Sequence, residues 1–537
     1  MIKKPLLTLA IATFSLPSMI LAENATPTAS SSPTSPTPVP TQTQTNAAKR
    51  PNIIFFLMDD LGWKDLSCMG STFYESPAID QLAADGFKFT RGYEAAPRCV
   101  PSRLSILTGK DHNRPELRGD TGLPLDQVVY ASLFKDAGYS TFFAGKWHEG
   151  QKGFWPQDHG FEINKGGCSL GALTTHFWPY YNPDKPAKHA TREDHNVAPY
   201  GLEQGKPGEY IADRLTDETI QFLKDHKKDH PDKPFFIELS HYLVHEPLEG
   251  KPELVKHFEE KLKTMPKDDG PEYEADYTGK VKMKQNLPVY AAMVKSIDES
   301  VDRIRKTLVE LGYDKDTIIV LAGDNGGLST TDLLGNRGMA TSNKPLRTGK
   351  GWLYEGGMRV PMMVYWPGVT KPGTVSDRAV TGTDFFPTFL DMAGLPLRPD
   401  IHLDGESFAP VLKGDMSHPR KPIFWYYDGA RVATGNPAMA AMLDGDMKLV
   451  HFVYEDRDEL YNIHDDLGEH HDLAPTHPEK VKEMKAALAD FENRVGVKPL
   501  KGHVIEEIKT LLDELKGIKP EKKSKKGKAI EDEGSSD

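Results

Sequence analysis

Three apolar runs punctuate the chain, Ile53-Ile54-Phe55-Phe56-Leu57-Met58, Phe235 to Ser240, and Thr317-Ile318-Ile319-Val320-Leu321. The first is continuous and none of the three alternates strictly, which predicts strands covered on both faces in a parallel sheet. Tyr139 to Ala144 reads as a further strand. Between these runs the apolar positions recur at helical spacing. That predicts helices at Pro77 to Asp85, closed by Gly86, at Val129 to Ala137, ended by Gly138, at Tyr210 to Lys227, and at Tyr290 to Leu311. The alternation predicts an α/β fold, a large, mostly parallel sheet sandwiched by helices. Beyond Thr388 the pattern changes. Ile423 to Tyr427, Ala440 to Leu443 and Lys448 to Val453 read as short strands followed by a helix from Pro478 to Val495. This predicts a small C-terminal domain of antiparallel sheet and helix.

The two ends read differently. Met1-Ile2-Lys3-Lys4 and the apolar run to Ala22 predict a signal peptide over 1–22, so the product is expected to be exported, periplasmic or secreted. Ser15, Pro17 and Ser18 interrupt the run, and no other stretch is apolar and long enough to cross a bilayer, so no integral membrane segment is expected after cleavage. Residues 23–49, rich in Ser, Thr and Pro, read as a linker. A catalytic domain is expected over 50–400, the C-terminal α+β subdomain over 401–500, and a helix (Val504 to Leu515) with a charged tail over 501–537. A net charge of −12 argues against a nucleic-acid partner but leaves room for an anionic substrate in a locally basic cleft. Three cysteines are too few for a disulfide framework; Cys68 and Cys168 form a possible pair.

Candidate chemistry collects where the strands end. The first run stops at Asp59-Asp60, and the third at Gly323-Asp324-Asn325-Gly326. Carboxylate and amide oxygens at the C-terminal edge of such a sheet suit Ca²⁺ or Mg²⁺, although Asp-Asp and Asp-Asn-Gly are also common turns. The Tyr139 strand delivers Gly145-Lys146-Trp147-His148, and a Lys and a His two apart on an extended segment point the same way. A solvated Lys and a structural His are the alternative. Residues 168–208 lose periodicity and gain His176, Trp178, Tyr180, Tyr181, His189 and Arg192, which either line a sugar cleft or pack onto the domain. Cys99-Val100-Pro101-Ser102-Arg103 reads as a turn entering a helix, with Cys99 just before or within its first turn. A nucleophile, a helix N-terminus and the fixed cation of Arg103 make an anion-handling site.

Cys99-x-Pro101-Ser102-Arg103-x4-Thr108-Gly109 resembles the signature of the type I sulfatases, within the alkaline-phosphatase-like superfamily. The resemblance extends over about 50 to 475. It includes the Gly145-Lys146-x-His148 segment, His245 two before Pro247, Lys350 ahead of Glu355-Gly356-Gly357-x-Arg359-x-Pro361, and the Leu403-Asp404-Gly405-x-Ser407 connector. It implies that a maturation enzyme oxidises Cys99 to formylglycine, whose hydrate is the nucleophile. It implies one Ca²⁺ held by Asp59, Asp60, Asp324, Asn325 and the modified Cys99. Lys146 and Lys350 would bind the sulfate, His245 would protonate the leaving oxygen, His148 would help expel sulfate, and Arg103 would orient the hydrate. Glu246 departs from the small or polar residue often found between His and Pro, and the competing His241 has the wrong spacing. Arg359 is expected to pair with a core carboxylate; Asn336, Arg337 and Lys344, in the intervening loop, are candidates for sugar contact. The expected reaction is hydrolysis of a sulfate monoester on a sulfated carbohydrate. The rivals are a phosphodiesterase or phosphonate monoester hydrolase of the same superfamily, and a sulfated-glycan-binding protein whose Cys99 is never converted.

Overall fold

A computed structural model describes residues 50–498 apart from 120, 183, 185–196, 278, 332–337 and 430–433. The expected signal peptide, linker, final helix and tail, together with His189, Arg192, Asn336 and Arg337, lie outside the described residues. The strands are β1 (Asn52–Met58), β2 (Phe87–Phe89), β3 (Ser140–Gly145), β4 (Ile163–Lys165), β5 (Phe235–Ser240), β6 (Tyr273–Asp276), β7 (Gly279–Lys282), β8 (Thr317–Gly323), β9 (Met362–Tyr365), β10 (Thr374–Ser376), β11 (Ile423–Tyr427), β12 (Met439–Asp444), β13 (Met447–Phe452) and β14 (Arg457–Asn462). Eight of them form one sheet in the order β10-β2-β9-β8-β1-β5-β3-β4. The central strands β8, β1, β5 and β3 run parallel and are buried along their whole length, as strands covered on both faces are, and β9 is antiparallel to both neighbours. The sheet is therefore mixed.

β1 sits at the centre, buried along its whole length. Phe55 packs its ring 5.0 and 5.2 Å from those of Phe385 and Phe389, on the helix Phe385–Met392. The long helix Pro288–Leu311 packs against Ile211–Asp229, Pro252–Thr264 and Pro77–Asp85. The helix at Pro252–Thr264, the β6–β7 hairpin and the short edge strands were not expected from the pattern. The hairpin and the edge strands are too short to register a period, whereas the helix carries one in Leu254, Phe258 and Leu262 but buries only Phe258 fully and is otherwise largely solvated.

The second sheet, β11-β12-β13-β14, is antiparallel and carries the helix Pro478–Val495, whose Met484, Leu488 and Phe491 are buried. A buried ionic knot ties it to the first. Lys448 on β13 is fully buried and lies 2.9 Å from both Glu355 and Glu469, while Arg359 reaches Glu355 at 2.8 Å. This is the carboxylate expected for Arg359.

Cys68 and Cys168 form no disulfide. The sheet order explains why. Cys68 offers its carbonyl to Lys88 on β2, whereas the Cys168 carbonyl accepts the N–H of His148 beyond β3, with four strands between β2 and β3. In the 168–208 stretch, His176 and Tyr180 are buried and Trp178 packs on the core, so these residues serve packing rather than an open cleft.

Glu238 interrupts the apolar run of β5 and accepts a hydrogen bond from the Tyr130 hydroxyl. Burial raises its carboxyl from 4.5 to about 7, against the opposing pull of Tyr130 and Arg103. Between those two values the folded chain keeps a proton that the unfolded chain has released. Stability therefore falls as pH rises through that window, by about 1.4 kcal/mol per unit. Glu238→Gln preserves the neutral shape without the titration. It is expected to melt close to the parent at pH 5 and above it at pH 8; equal melting temperatures at both would contradict this.

Candidate active site

The four central strands all end at one edge, and each delivers a chemical group there. β1 leads into Asp59 and Asp60, β8 into Asp324 and Asn325, β3 into Lys146, and β5, through Ser240, into the segment bearing His245. Gly145 closes β3 with φ of 108°, and a Cβ there would stand 1.8 Å from the Ser240 carbonyl oxygen, so only glycine lets the two strand ends meet. Cys99 is the first residue of the helix Cys99–Thr108 and is half-buried. Its helix ends at Gly109 in the left-handed conformation.

Arg103, one turn into that helix, joins three of the strand ends. Its Nε donates to Asp324 Oδ2 at 3.0 Å, with Nη2 at 2.8 Å from the same oxygen. Its Nη1 donates to the Lys146 carbonyl at 2.9 Å and to Ser240 Oγ at 2.6 Å. Arg103 thus holds the helix carrying Cys99 against β8, β3 and β5.

Lysines and carboxylates meet in pairs. Lys146 Nζ lies 2.6 Å from Asp59 Oδ2, and Lys350 Nζ 2.6 Å from Asp60 Oδ1, which also accepts from Asn325 Nδ2 at 2.7 Å. His245 Nε2 stands 3.8 Å from Asp60 Oδ2, with its Nδ1 2.9 Å from the Glu246 carbonyl. All the charged groups here are removed from water, so their equilibria shift. Burial pushes the carboxyls of Asp59 and Asp324 up to about 6 against the neighbouring cations. Burial acts the same way on Asp60, but Lys350, and after it His245 and Lys146, hold that carboxyl well below its usual range. Burial would raise the Cys99 thiol, yet Lys146 and Lys350 outweigh it and bring it down to about 7. Burial, with Lys350 behind it, lowers His245 to about 4.

Three buried oxygens in this group have no hydrogen-bond partner: Asp59 Oδ1, Asp60 Oδ2 and Asn325 Oδ1. Each carboxylate gives one oxygen to a lysine and leaves the other open. Ligand atoms of Asp59, Asp60 and His245 also lie within 4.8 Å of one another, a spacing that a cation touching oxygens at about 2.3–2.6 Å can bridge. A hard cation such as Ca²⁺ fits these residues. Asp324 is placed behind them, its two oxygens taken by the Asp60 N–H and Arg103.

The structure therefore brings together Asp59, Asp60, Asp324, Asn325, Cys99, Arg103, Lys146, His245 and Lys350. His148 follows a different path from the one its spacing suggested. β3 ends at Gly145, and His148 has φ of 66° with its ring lying over Gly171, so the alternation of an extended strand does not carry through to it. His241 is buried against Ser300, which removes it as a competitor. Two acids escaped the sequence reading. Glu94 accepts from Ser102 at 2.9 Å, and Glu149 is buried directly after His148 with its neutral form strongly favoured by burial. The available signals were a carboxylate set between Tyr93 and Ala95 for Glu94 and adjacency to His148 for Glu149.

A profile of the sulfatase family matches residues 51–395, and one for the C-terminal part of N-sulphoglucosamine sulphohydrolase matches 348–494. The chain belongs to the sulfatase family. It is a sulfuric ester hydrolase with the fold of that family. The N-acetylgalactosamine-6-sulfatase of Mus musculus is 32% identical over 420 residues, covering 74% of this sulfatase and 71% of that one. A sulfatase of Formosa agariphila is 29% identical over 507 residues, covering 81% and 86%. The crystal structure of Ps i-CgsB with k-i-k-neocarrahexaose superposes with a TM-score of 0.67 at 27% identity, covering 87% of this sulfatase and 98% of that chain.

The Arg103 contacts make a stability test. Arg103→Leu leaves Asp324 buried without its cation, and is expected to lower the unfolding free energy by about 3–5 kcal/mol in urea titration. A loss below about 1 kcal/mol, the size of a surface pair, would contradict the strut described above.

Proposed function

We propose that this sulfatase hydrolyses sulfate monoesters of a sulfated carbohydrate, using a nucleophile made from Cys99. The observation that carries the reading is the placement of Cys99 at a helix N-terminus, close enough for Lys146 and Lys350 to lower its thiol, on a helix whose Arg103 is bound to the strand ends that carry three unpartnered oxygens. The carbohydrate class is supported by the names of the similar proteins, an N-acetylgalactosamine-6-sulfatase and Ps i-CgsB in complex with k-i-k-neocarrahexaose.

Oxidation of Cys99 to formylglycine by a maturation enzyme would supply a hydrated aldehyde whose hydroxyl is the nucleophile. Calcium held by Asp59, Asp60 and Asn325, with Asp324 placed behind them, would supply a fixed positive charge against sulfate oxygens. Lys146 and Lys350 bind the remaining sulfate oxygens and stabilise the charge that shifts onto them as sulfur is attacked. His245 donates its proton to the departing alcohol oxygen; the bound sulfate ester, being negative, offsets the burial that otherwise keeps this imidazole neutral. Arg103 acts through Asp324 and the Lys146 carbonyl, fixing the helix that presents residue 99. Residues 50–400 are assigned to catalysis and 401–500 to the supporting subdomain. We assign the protein to an exported pool on the basis of its first 22 residues; no helix among the described residues is long and apolar enough to cross a membrane.

The test is free sulfate released from a panel of sulfated glycans by the full chain co-expressed with a formylglycine-generating enzyme. Release is expected from at least one glycan, to vanish in Cys99→Ala, and to fall by about 10²–10³-fold in Lys350→Ala. Binding without release from the matured chain would favour a glycan-binding protein. No sulfate from any glycan, with turnover of phosphodiesters or phosphonate monoesters offered in parallel, would favour the phosphodiesterase or phosphonate monoester hydrolase reading.

A further inference from the structure

Asn343 lies in none of the motifs above, yet it stands where three of them meet. The residue is 1% exposed. Its side-chain Nδ2 lies 2.9 Å from the Gly327 carbonyl, 3.0 Å from Ser329 Oγ, 3.1 Å from the Thr348 carbonyl and 3.2 Å from the Gly356 carbonyl. One amide has two N–H bonds, so the group is shared among four acceptors on two segments. These are the segment following Asp324-Asn325 and the segment bearing Lys350.

The amide is enclosed by three glycines. A Cβ on Gly62 would stand 2.5 Å from Asn343 Oδ1, one on Gly327 2.9 Å from the same atom, and one on Gly349 2.8 Å from Nδ2. Gly62 ends the Asp59-Asp60 turn, Gly327 follows Asp324-Asn325, and Gly349 precedes Lys350. The three turns that carry the proposed calcium oxygens and the proposed sulfate lysine thus converge on one side chain, each leaving out a Cβ to admit it.

The backbone around it is held under tension. Thr348 has φ of 58°, an unfavourable conformation for a β-branched residue, and its carbonyl accepts from both Ser329 Oγ at 2.7 Å and Asn343. The Lys350 N–H donates to the Gly327 carbonyl at 3.1 Å, so the strained turn fixes Lys350 against the segment that follows Asn325.

We propose that Asn343 is a positioning residue that sets the spacing between Lys350 and the proposed calcium oxygens of Asp59, Asp60 and Asn325. The proposal rests on the metal and sulfate roles assigned above. Asn343 acts through these three turns, so its loss should loosen the ion's oxygen cage and the lysine together.

Calcium affinity of the full chain, measured by titration calorimetry well below the melting temperature, tests this without turnover. Asn343→Ala and Asn343→Asp are expected to weaken calcium binding by about 10–100-fold, in the range found for residues that orient metal ligands. Ser329→Ala removes one of the four acceptors and is a milder change in the same knot; it is expected to weaken binding by less. In matured enzyme, Asn343→Ala should also raise KM for the released-sulfate substrate, because Lys350 is displaced. Calcium affinity equal to the parent in both Asn343 variants, or in Ser329→Ala if those do not fold, would overturn the proposal. A purely structural Asn343 would lower the melting temperature and leave calcium affinity unchanged. Failure of the parent itself to bind calcium would overturn the metal assignment and this proposal with it; parent binding with unaffected variants would overturn this proposal alone.

Discussion

The ion pair between Arg103 and Asp324 is the contact on which the rest of the site depends. A guanidinium removed from water is tolerable only where its donors and its charge are met together. Here they are met by Asp324 at the end of β8, the Lys146 carbonyl at the end of β3 and Ser240 at the end of β5. Those contacts fix how deep the Cys99–Thr108 helix sits against the sheet. They also set where residue 99 stands relative to the lysines and carboxylates. The same pair takes up Asp324, so the oxygens left open belong to Asp59, Asp60 and Asn325.

Charge balance then explains the composition of the edge. Asp59, Asp60 and Asp324 are matched by Lys146, Lys350 and Arg103, each cation within 3 Å of its carboxylate. A sheet edge with neutral total charge can remain buried, yet three unpartnered oxygens and two lysines leave it receptive both to a cation and to an anion. Those are the two species the proposed chemistry brings together. The buried Lys448 knot extends the same principle outward, pinning the Lys350 segment through Glu355 to the second sheet. The small sheet therefore braces the site although it supplies none of the groups at its centre.

Most of this was legible in the chain. Phe235–Ser240 and Pro77–Asp85 appear with the boundaries their patterns predict, because continuous apolar runs and a Pro-to-Gly frame are strong local signals. Asp59-Asp60 and Asp324-Asn325 could be read as partners because both follow buried strands, and parallel strands bring their C-terminal ends to one edge. His148 shows the limit of such reasoning. Its left-handed backbone is set by Gly145 and the Cys168 carbonyl, so period-two spacing had no purchase on it. The aromatic stretch after Cys168 was ambiguous for a similar reason. Its burial depends on Glu249 and Tyr210, which are distant in sequence and carry no mark of their partners. Cys68 and Cys168 could be separated only by strand order, which no local pattern encodes.

The central claim is that the unpartnered oxygens of Asp59, Asp60 and Asn325 converge on a cation beside residue 99. A crystal structure of the matured chain grown with calcium tests it most directly. The account predicts a single ion touching Asp59 Oδ1, Asp60 Oδ2 and Asn325 Oδ1, with formylglycine at position 99 next to it. An ion bound elsewhere, or those oxygens unligated at saturating calcium, would contradict it.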